Sequence, residues 1–266
     1  MGKSKVIGIM SLKGGVGKTS VVSSLGSTLA DLGKKVLLVD ANFPAPNLGI
    51  HFNLIDPEIT LHDVLTRKAN ISDAIYAVGN LDIIPSAFFT NKKINPLKLK
   101  DKLKYIKRKY DVVLIDSPPS INEDGLATLY AADEVFFVTT PDHSTLSNTI
   151  KSINRAIERG TKINGLILNK VHSKDFELTL DEIEDTTNIP VMAVIPFGLD
   201  VQKAQSEFIS PVVFNPKSQV TKEFKRLASA LIGEEFKEFN WRSLFGLTPK
   251  KQEINRQVFY ERVFKE

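Results

Sequence analysis

The 266-residue chain contains no cysteine, which excludes disulfides, thiolate zinc sites and cysteine-ligated iron–sulfur clusters. Histidine is scarce: His51, His62, His143 and His172 stand far apart, without the spacing of a zinc site. No apolar run approaches the roughly 18–20 residues that a membrane-spanning helix requires. The N-terminus also lacks the charged-then-apolar pattern of a signal peptide. The expected location is the cytoplasm. With 42% hydrophobic and 25% charged residues, the composition is that of a globular protein with a sizeable core. The net charge of +4 is unevenly placed: Lys92 to Lys109 holds nine basic residues against one acid, Asp101, so the remainder is net negative.

A short apolar run followed by a helical pattern recurs along the chain. The expected strands are Val6–Met10, Val36–Val39, Leu81–Ile84, Val112–Ile115, Glu134–Val138, Gly165–Leu168 and Val191–Val194. Continuous apolar runs of this kind suit parallel strands covered on both faces. Helical patterns fall at Thr19–Leu32, Leu97–Arg108, Asn122–Tyr130, Ser144–Arg159, Leu178–Thr187 and Thr221–Ile232. The alternation predicts a doubly wound α/β fold, a mostly parallel sheet of about seven or eight strands with helices on both faces. Ligands should bind beyond the carboxyl ends of the strands. After Gly233 the rhythm stops, so residues 1–233 read as one domain and residues 234–266 as an appended helical tail.

Directly after the first strand comes Ser11-Leu12-Lys13-Gly14-Gly15-Val16-Gly17-Lys18-Thr19-Ser20, opening a helix. Glycines let the backbone curl so that N–H groups from Gly14 through Ser20 face phosphate oxygens, with the helix N-terminus behind them. Lys18 sets an ammonium on the β and γ phosphates, and the Thr19 hydroxyl is a magnesium ligand. ATP with Mg2+ is the expected cofactor pair.

The usual phosphate-loop spacing wants glycine where this chain has Leu12, and an extra lysine, Lys13, opens the loop. Lys-Gly-Gly-Val-Gly-Lys-Thr resembles the deviant Walker A motif of the MinD/ParA ATPases, and the resemblance runs over roughly residues 4–232. In that family the lysine matching Lys13 reaches the partner's ATP across a dimer. The resemblance therefore implies an ATP-bound homodimer in which Lys13 cancels phosphate charge in trans, as an arginine finger does. A solvated lysine or a cis phosphate contact is the alternative.

Two carboxylates stand at strand ends on the side where the loop emerges, Asp40 and Asp116. Asp116 occupies the Walker B position, and both are candidates for the magnesium shell; capping of the following turns is the plainer alternative. Asp40–Gly49 and Ser117–Asp124 are the expected switch segments. Relatives carry a second aspartate two residues after the first, where it positions or activates the attacking water. This chain has Asn42 instead. An amide can hydrogen-bond to water but cannot accept its proton, so slow hydrolysis is expected from the Lys13, Lys18, Asp40 and Asn42 constellation. The family match implies that Asn169 reads the adenine and that the segment with Pro196 borders the base; a plain turn asparagine is the alternative for Asn169. Without cysteine, the cluster-scaffold and nitrogenase-iron branches of the superfamily are closed to this chain.

Leu99, Leu103, Ile106 and Tyr110 recur on one helical face among lysines, so the basic stretch reads as a surface helix. Solvation alone and attraction to anionic lipid or DNA phosphate both fit, but base-specific reading does not, for want of a recognised motif. The tail gathers Phe236, Phe239, Trp241, Leu244 and Phe245 beside Lys237 and Arg242. That composition suits either a reversible anchor at the inner face of the membrane or a helix pair docked on the body or on a partner. The expected function is a MinD-like, ATP-dependent dimerising switch that positions cell-division or other machinery, with an unidentified partner stimulating hydrolysis. A ParA-like segregation ATPase coating DNA and a nucleotide-locked adaptor are the alternatives.

Overall fold

In the computed structural model, which describes residues 4–120, 122–234 and 250–264, the apolar runs assemble into one eight-stranded sheet. The strands are β1 (Lys5–Met10), β2 (Val36–Asp40), β3 (Tyr76–Val78), β4 (Leu81–Ile84), β5 (Val112–Asp116), β6 (Glu134–Thr139), β7 (Lys162–Val171) and β8 (Val191–Pro196). Their order is β3-β4-β2-β5-β1-β6-β7-β8. Every neighbouring pair is parallel except β3 with β4. The sheet is covered by α1 (Lys18–Asp31), α2 (Leu61–Leu65), α3 (Leu99–Lys104), α4 (Glu123–Ala131), α5 (His143–Glu158), α6 (Leu180–Thr187), α7 (Leu199–Ser206), α8 (Pro211–Phe214) and α9 (Gln219–Ile232).

Side chains alternate across a strand, and here both alternate sets are apolar. Ile7, Ile9, Leu38 and Leu114 meet Leu25 of α1 and Leu227 of α9 on one face. Val6, Leu37, Val113 and Ile115 meet Leu99 of α3 and Ala127 of α4 on the other, continued by Phe137 and Leu166 against Ile153 of α5 and Ile183 of α6. Helix α1 lies close to the sheet because Gly26 has no side chain: a Cβ there would stand 2.5 Å from Leu38 Cδ2. The chain winds one way from β1 to β2 and the other way from β5 to β6, across β1. Adjacent loops therefore diverge beyond the carboxyl end of β1 and leave a crevice there.

The short helices α2, α7 and α8 are additional to the six helical patterns of the sequence, and two further elements differ from the sequence reading. β3 is a three-residue antiparallel edge strand, too short to show alternation. The expected helix over Leu97–Arg108 is broken into a 3-10 turn at Pro96–Lys98, α3, and a second 3-10 turn at Lys107–Lys109. Lysines four apart, Lys98 with Lys102 and Lys100 with Lys104, repel along a helix face, while burial of Leu99, Leu103 and Ile106 holds the segment on the sheet.

No described helix is long and apolar enough to cross a membrane. The last described helix, Lys251–Phe264, lies against edge strand β8 and α9. Phe259 is 2% exposed, and the Arg256 guanidinium pairs with Glu223 at 2.8 Å while donating to the Met192 carbonyl. Glu223 also accepts the Val194 amide at 3.1 Å, and the Asn255 amide donates to the Val191 carbonyl. The helix thus covers an edge that would otherwise be open to pairing. Phe236, Phe239, Trp241, Leu244 and Phe245 lie outside the described residues.

Phe259→Ala removes the largest apolar anchor of this helix and should cost about 3 kcal/mol. Urea unfolding checks it; an unchanged midpoint would mean that the helix adds nothing to the fold.

Candidate active site

The turn from β1 to α1 sits at the crevice. Gly15 and Gly17 adopt left-handed φ values of 78° and 89°, which glycine tolerates and other residues rarely adopt. Gly17 is doubly constrained, because a Cβ there would stand 2.4 Å from Asn169 Nδ2. The Asn169 amide donates to the Val16 carbonyl at 2.8 Å, and the Lys170 ammonium to the Gly15 carbonyl at 2.7 Å. Two side chains at the end of β7 therefore tie down the carbonyls of the loop. Its N–H groups remain for a ligand.

Lys18 is 7% exposed and donates to Ser11 Oγ at 3.0 Å; Ser11 in turn donates to the Lys13 carbonyl at 2.9 Å. Burial pulls the Lys18 ammonium below its usual pKa, and the Asp116 carboxylate opposes that. The Thr19 hydroxyl donates to Asp116 Oδ2 at 2.6 Å. Asp116 is fully buried, and its pKa is pushed up to about 6 by burial, with the Thr19 hydrogen bond and Lys18 working the other way. Its Oδ1 is buried with no hydrogen-bond partner.

Asp40 stands opposite Asp116 in the β2–β5 register. Its carboxyl lies well above the usual range, first through burial and then through the charge of Asp116. Both of its oxygens are engaged: Oδ1 accepts the Asn42 amide, and Oδ2 accepts those of Asn47 and Leu48, all within 3.1 Å. The sequence reading gave Asp40 a place in the magnesium shell; here these bonds shape the Asp40–Gly49 loop. The Asn42 side chain donates to the Ala45 carbonyl at 2.6 Å, and its Oδ1 is buried without a partner.

Gly14, Gly15, Gly17, Lys18, Thr19, Ser20, Asn42, Asn169 and Pro196 line one cavity. The backbone of Val16 serves the loop while its side chain is in the core. Lys13 does not line the cavity. Its ammonium donates to Thr145 Oγ1 at 2.8 Å and lies 3.5 Å from Asp142, both at the start of α5. Hydrogen bonds from Thr140 and Thr145, with help from Lys13, pull Asp142 down to about 2 against the upward push of its burial.

The sequence reading missed Asp142 and Thr145 as holders of Lys13, Lys170 as a brace of the loop, and Gln205, whose amide donates to Ser20 Oγ at 2.7 Å. Asp142 carried a signal, since an aspartate before a helical run caps it and it accepts the Thr145 amide. Gln205 carried none; only the packing of α7 brings it there.

The donor set fits magnesium. A buried carboxylate with one unpartnered oxygen beside a threonine hydroxyl is a hard-oxygen half-site. Among the described residues no group of three or more acidic or histidine side chains forms a protein-only cage. Asp116 and Thr19 would hold the ion together with phosphate oxygens, and the ion would neutralise charge on those oxygens.

A glycine-rich strand-to-helix turn at the switch point of a parallel sheet, with a buried lysine and a carboxylate at the next strand end, defines a P-loop nucleotide-binding protein. Residues 4–170 match the family model described as AAA domain. The septum site-determining protein MinD of Thermotoga maritima is 35% identical over 86% of this chain and 88% of its own length. The sporulation initiation inhibitor Soj of Bacillus subtilis is 30% identical, covering 84% and 96%. The structure of MinD from Pyrococcus horikoshii complexed with Mg-ADP superposes with a TM-score of 0.82 at 33% identity, covering 86% and 96%. The chain belongs to the MinD/ParA family of P-loop ATPases, with ATP and Mg2+ as cofactors.

Replacing Asp116 with asparagine removes a buried charge while keeping an acceptor for Thr19. At pH 7.5 the ligand-free variant should be more stable than wild type by roughly 1–3 kcal/mol, as expected for relief of a raised carboxyl pKa. Magnesium-dependent ATP binding should be lost. Calorimetry with ATP, with and without Mg2+, checks the second point, and denaturant titration the first.

Proposed function

We propose that this chain is a MinD-like, ATP-dependent dimerising switch that positions other cellular machinery and cleaves ATP slowly. The observation that carries this reading is Asn42. It stands in the cavity wall beside the phosphate loop, its nitrogen held on Ala45 and its buried oxygen free to accept one hydrogen bond. Such a group can orient a water but cannot take its proton. Asp40, the nearest carboxylate in the chain, is bound up in backbone amides and disfavours ionisation. The site therefore grips a triphosphate well and activates water poorly.

Lys13 supplies the switch. Its contact with Asp142 involves side chains 42% and 47% exposed, and an exposed pair of this kind is worth only about 0–1 kcal/mol. A partner's triphosphate, with several negative charges, competes with it readily. Lys13 thus rests on its own chain until a nucleotide across an interface draws it away. Hydrolysis would return it.

Composition supports two further parts of this reading. The segment from Phe236 to Leu247, rich in aromatic and cationic residues, suits the lipid headgroup boundary. A site that lacks its own base leaves room for a stimulating partner protein.

Asn42→Asp should raise the single-turnover hydrolysis rate by about 10²-fold, the lower end of general-base assistance; an unchanged rate would sink the slow-hydrolysis reading. Light scattering with ATP and Mg2+ should show wild type moving to twice its monomer mass. Lys13→Ala should bind ATP yet stay monomeric. A Lys13→Ala dimer would remove the trans role.

A further inference from the structure

One polar side chain of the cavity has no part in holding phosphate or magnesium. Of the four histidines, only His51 lines this cavity among the described residues, together with Ser20, Val201, Gln202 and Gln205. It arrives from the β2 side on a 3-10 turn, Ile50–Phe52. That turn is fixed at its entry, where the Leu48 amide donates to Asp40 at 3.0 Å. Its exit is fixed by the Leu54 amide on the Gly49 carbonyl at 2.9 Å and by Asn53 in the left-handed region at φ 57°. Gly49 permits the closure, since a Cβ there would stand 2.6 Å from the Leu54 carbonyl oxygen.

The hydrogen bonds around the ring assign its tautomer. Ser23 Oγ donates its proton to the Ser20 carbonyl at 3.1 Å. His51 Nδ1 lies 3.3 Å from the same Oγ, so Nδ1 carries the ring proton and donates. Burial pulls the imidazole down to about 4, so near neutral pH the ring is uncharged and Nε2 keeps a lone pair. Among the described residues no group donates to Nε2. An acceptor without a donor is thus left in the wall of the nucleotide cavity.

The groups of a nucleotide differ in what they can offer such an atom. Phosphate oxygens are acceptors themselves and repel a lone pair. The donors of ATP are the ribose hydroxyls and the adenine amine. A base is better served on the β7–β8 side, where Phe197 lines the cavity and is backed by the His172 ring at 4.6 Å between centroids, a flat surface for stacking. His51 stands on the other side, against the second turn of α1, directly behind the phosphate loop. Gln205 faces that helix from α7, held on Ser20 Oγ at 2.7 Å. We infer that His51 determines sugar specificity: its Nε2 accepts a hydrogen bond from a ribose hydroxyl, so the site prefers ribonucleotides to deoxyribonucleotides. This inference rests on nucleotide binding alone and does not depend on the Lys13 switch or on Asn42.

The test is calorimetric titration of the full chain with ADP, 2′-deoxy-ADP and 3′-deoxy-ADP in the presence of Mg2+. Using the diphosphate keeps hydrolysis out of the measurement. Wild type should bind one of the two deoxy analogues about 3–10-fold more weakly than ADP, the loss expected for one hydrogen bond. His51→Ala should bind ADP more weakly by a similar factor and should no longer distinguish that analogue from ADP. A histidine that only braces its turn would behave differently: its removal would weaken all three nucleotides alike and leave the discrimination in place. That result would overturn the proposal, as would equal binding of all three by wild type. Nitrogen NMR of histidine-labelled wild type gives a reading that needs no variant. The His51 Nε2 resonance should be that of an unprotonated nitrogen in the free protein and should move upfield with ADP, less so with the disfavoured analogue. A protonated Nε2 in the free protein, or a resonance that ADP leaves in place, would also count against it.

Discussion

Three ionisable groups are held out of water at the carboxyl ends of adjacent strands: Lys18 just beyond β1, Asp40 on β2 and Asp116 on β5. Burying charge in this way is costly unless each charge finds partners. The site answers the cost unevenly. Asp40 receives three backbone amides, Lys18 receives a hydroxyl and the field of Asp116, and Asp116 keeps one oxygen with no partner. Binding is written into that imbalance. A magnesium triphosphate would bring a cation for Asp116 and anionic oxygens for Lys18, and so would complete an electrostatic set that the chain leaves unfinished.

Around this centre, rigidity comes from bonds that keep backbone carbonyls away from the ligand. Asn169 and Lys170 hold the carbonyls of Val16 and Gly15, so these acceptors are bound within the chain. Asn169 thus has a task beyond any contact with a base. Asp40 does the same for the 40–49 loop, drawing three amides inward and setting Asn42 in the cavity wall. The amide at position 42 adds a donor, spent on the Ala45 carbonyl, that a carboxylate would lack.

Away from the site, the chain handles its remaining charge in opposite ways. At the β8 edge, Arg256 is buried and paired with Glu223, and the 251–264 helix closes the sheet. On the α2–α3 side, Lys92 pairs with Asp63 and Lys107 with Asp133, while Arg67, Lys93 and Lys104 are exposed and, among the described residues, have no carboxylate within ion-pair distance. The first arrangement is structural, since a buried guanidinium without its carboxylate would be strongly destabilising.

The sheet, the phosphate loop and Asp116 were legible in the residues alone, because each is a local pattern: continuous apolar runs for doubly covered strands, glycines spaced for a curled backbone, and a carboxylate closing a strand. Antiparallel β3 was not legible, since three residues carry too little periodicity. Neither was the break in the basic helix, where repulsion between lysines and burial of Leu99 and Leu103 act together. The partners of Lys13, the brace from Lys170 and the approach of Gln205 to Ser20 join residues 132, 155 and 185 positions apart. Sequence determined which groups could do chemistry, because that is a property of residue type and local backbone. Only the tertiary structure decided which groups are dry, which are paired and which are left over, because those are properties of neighbours brought together by packing.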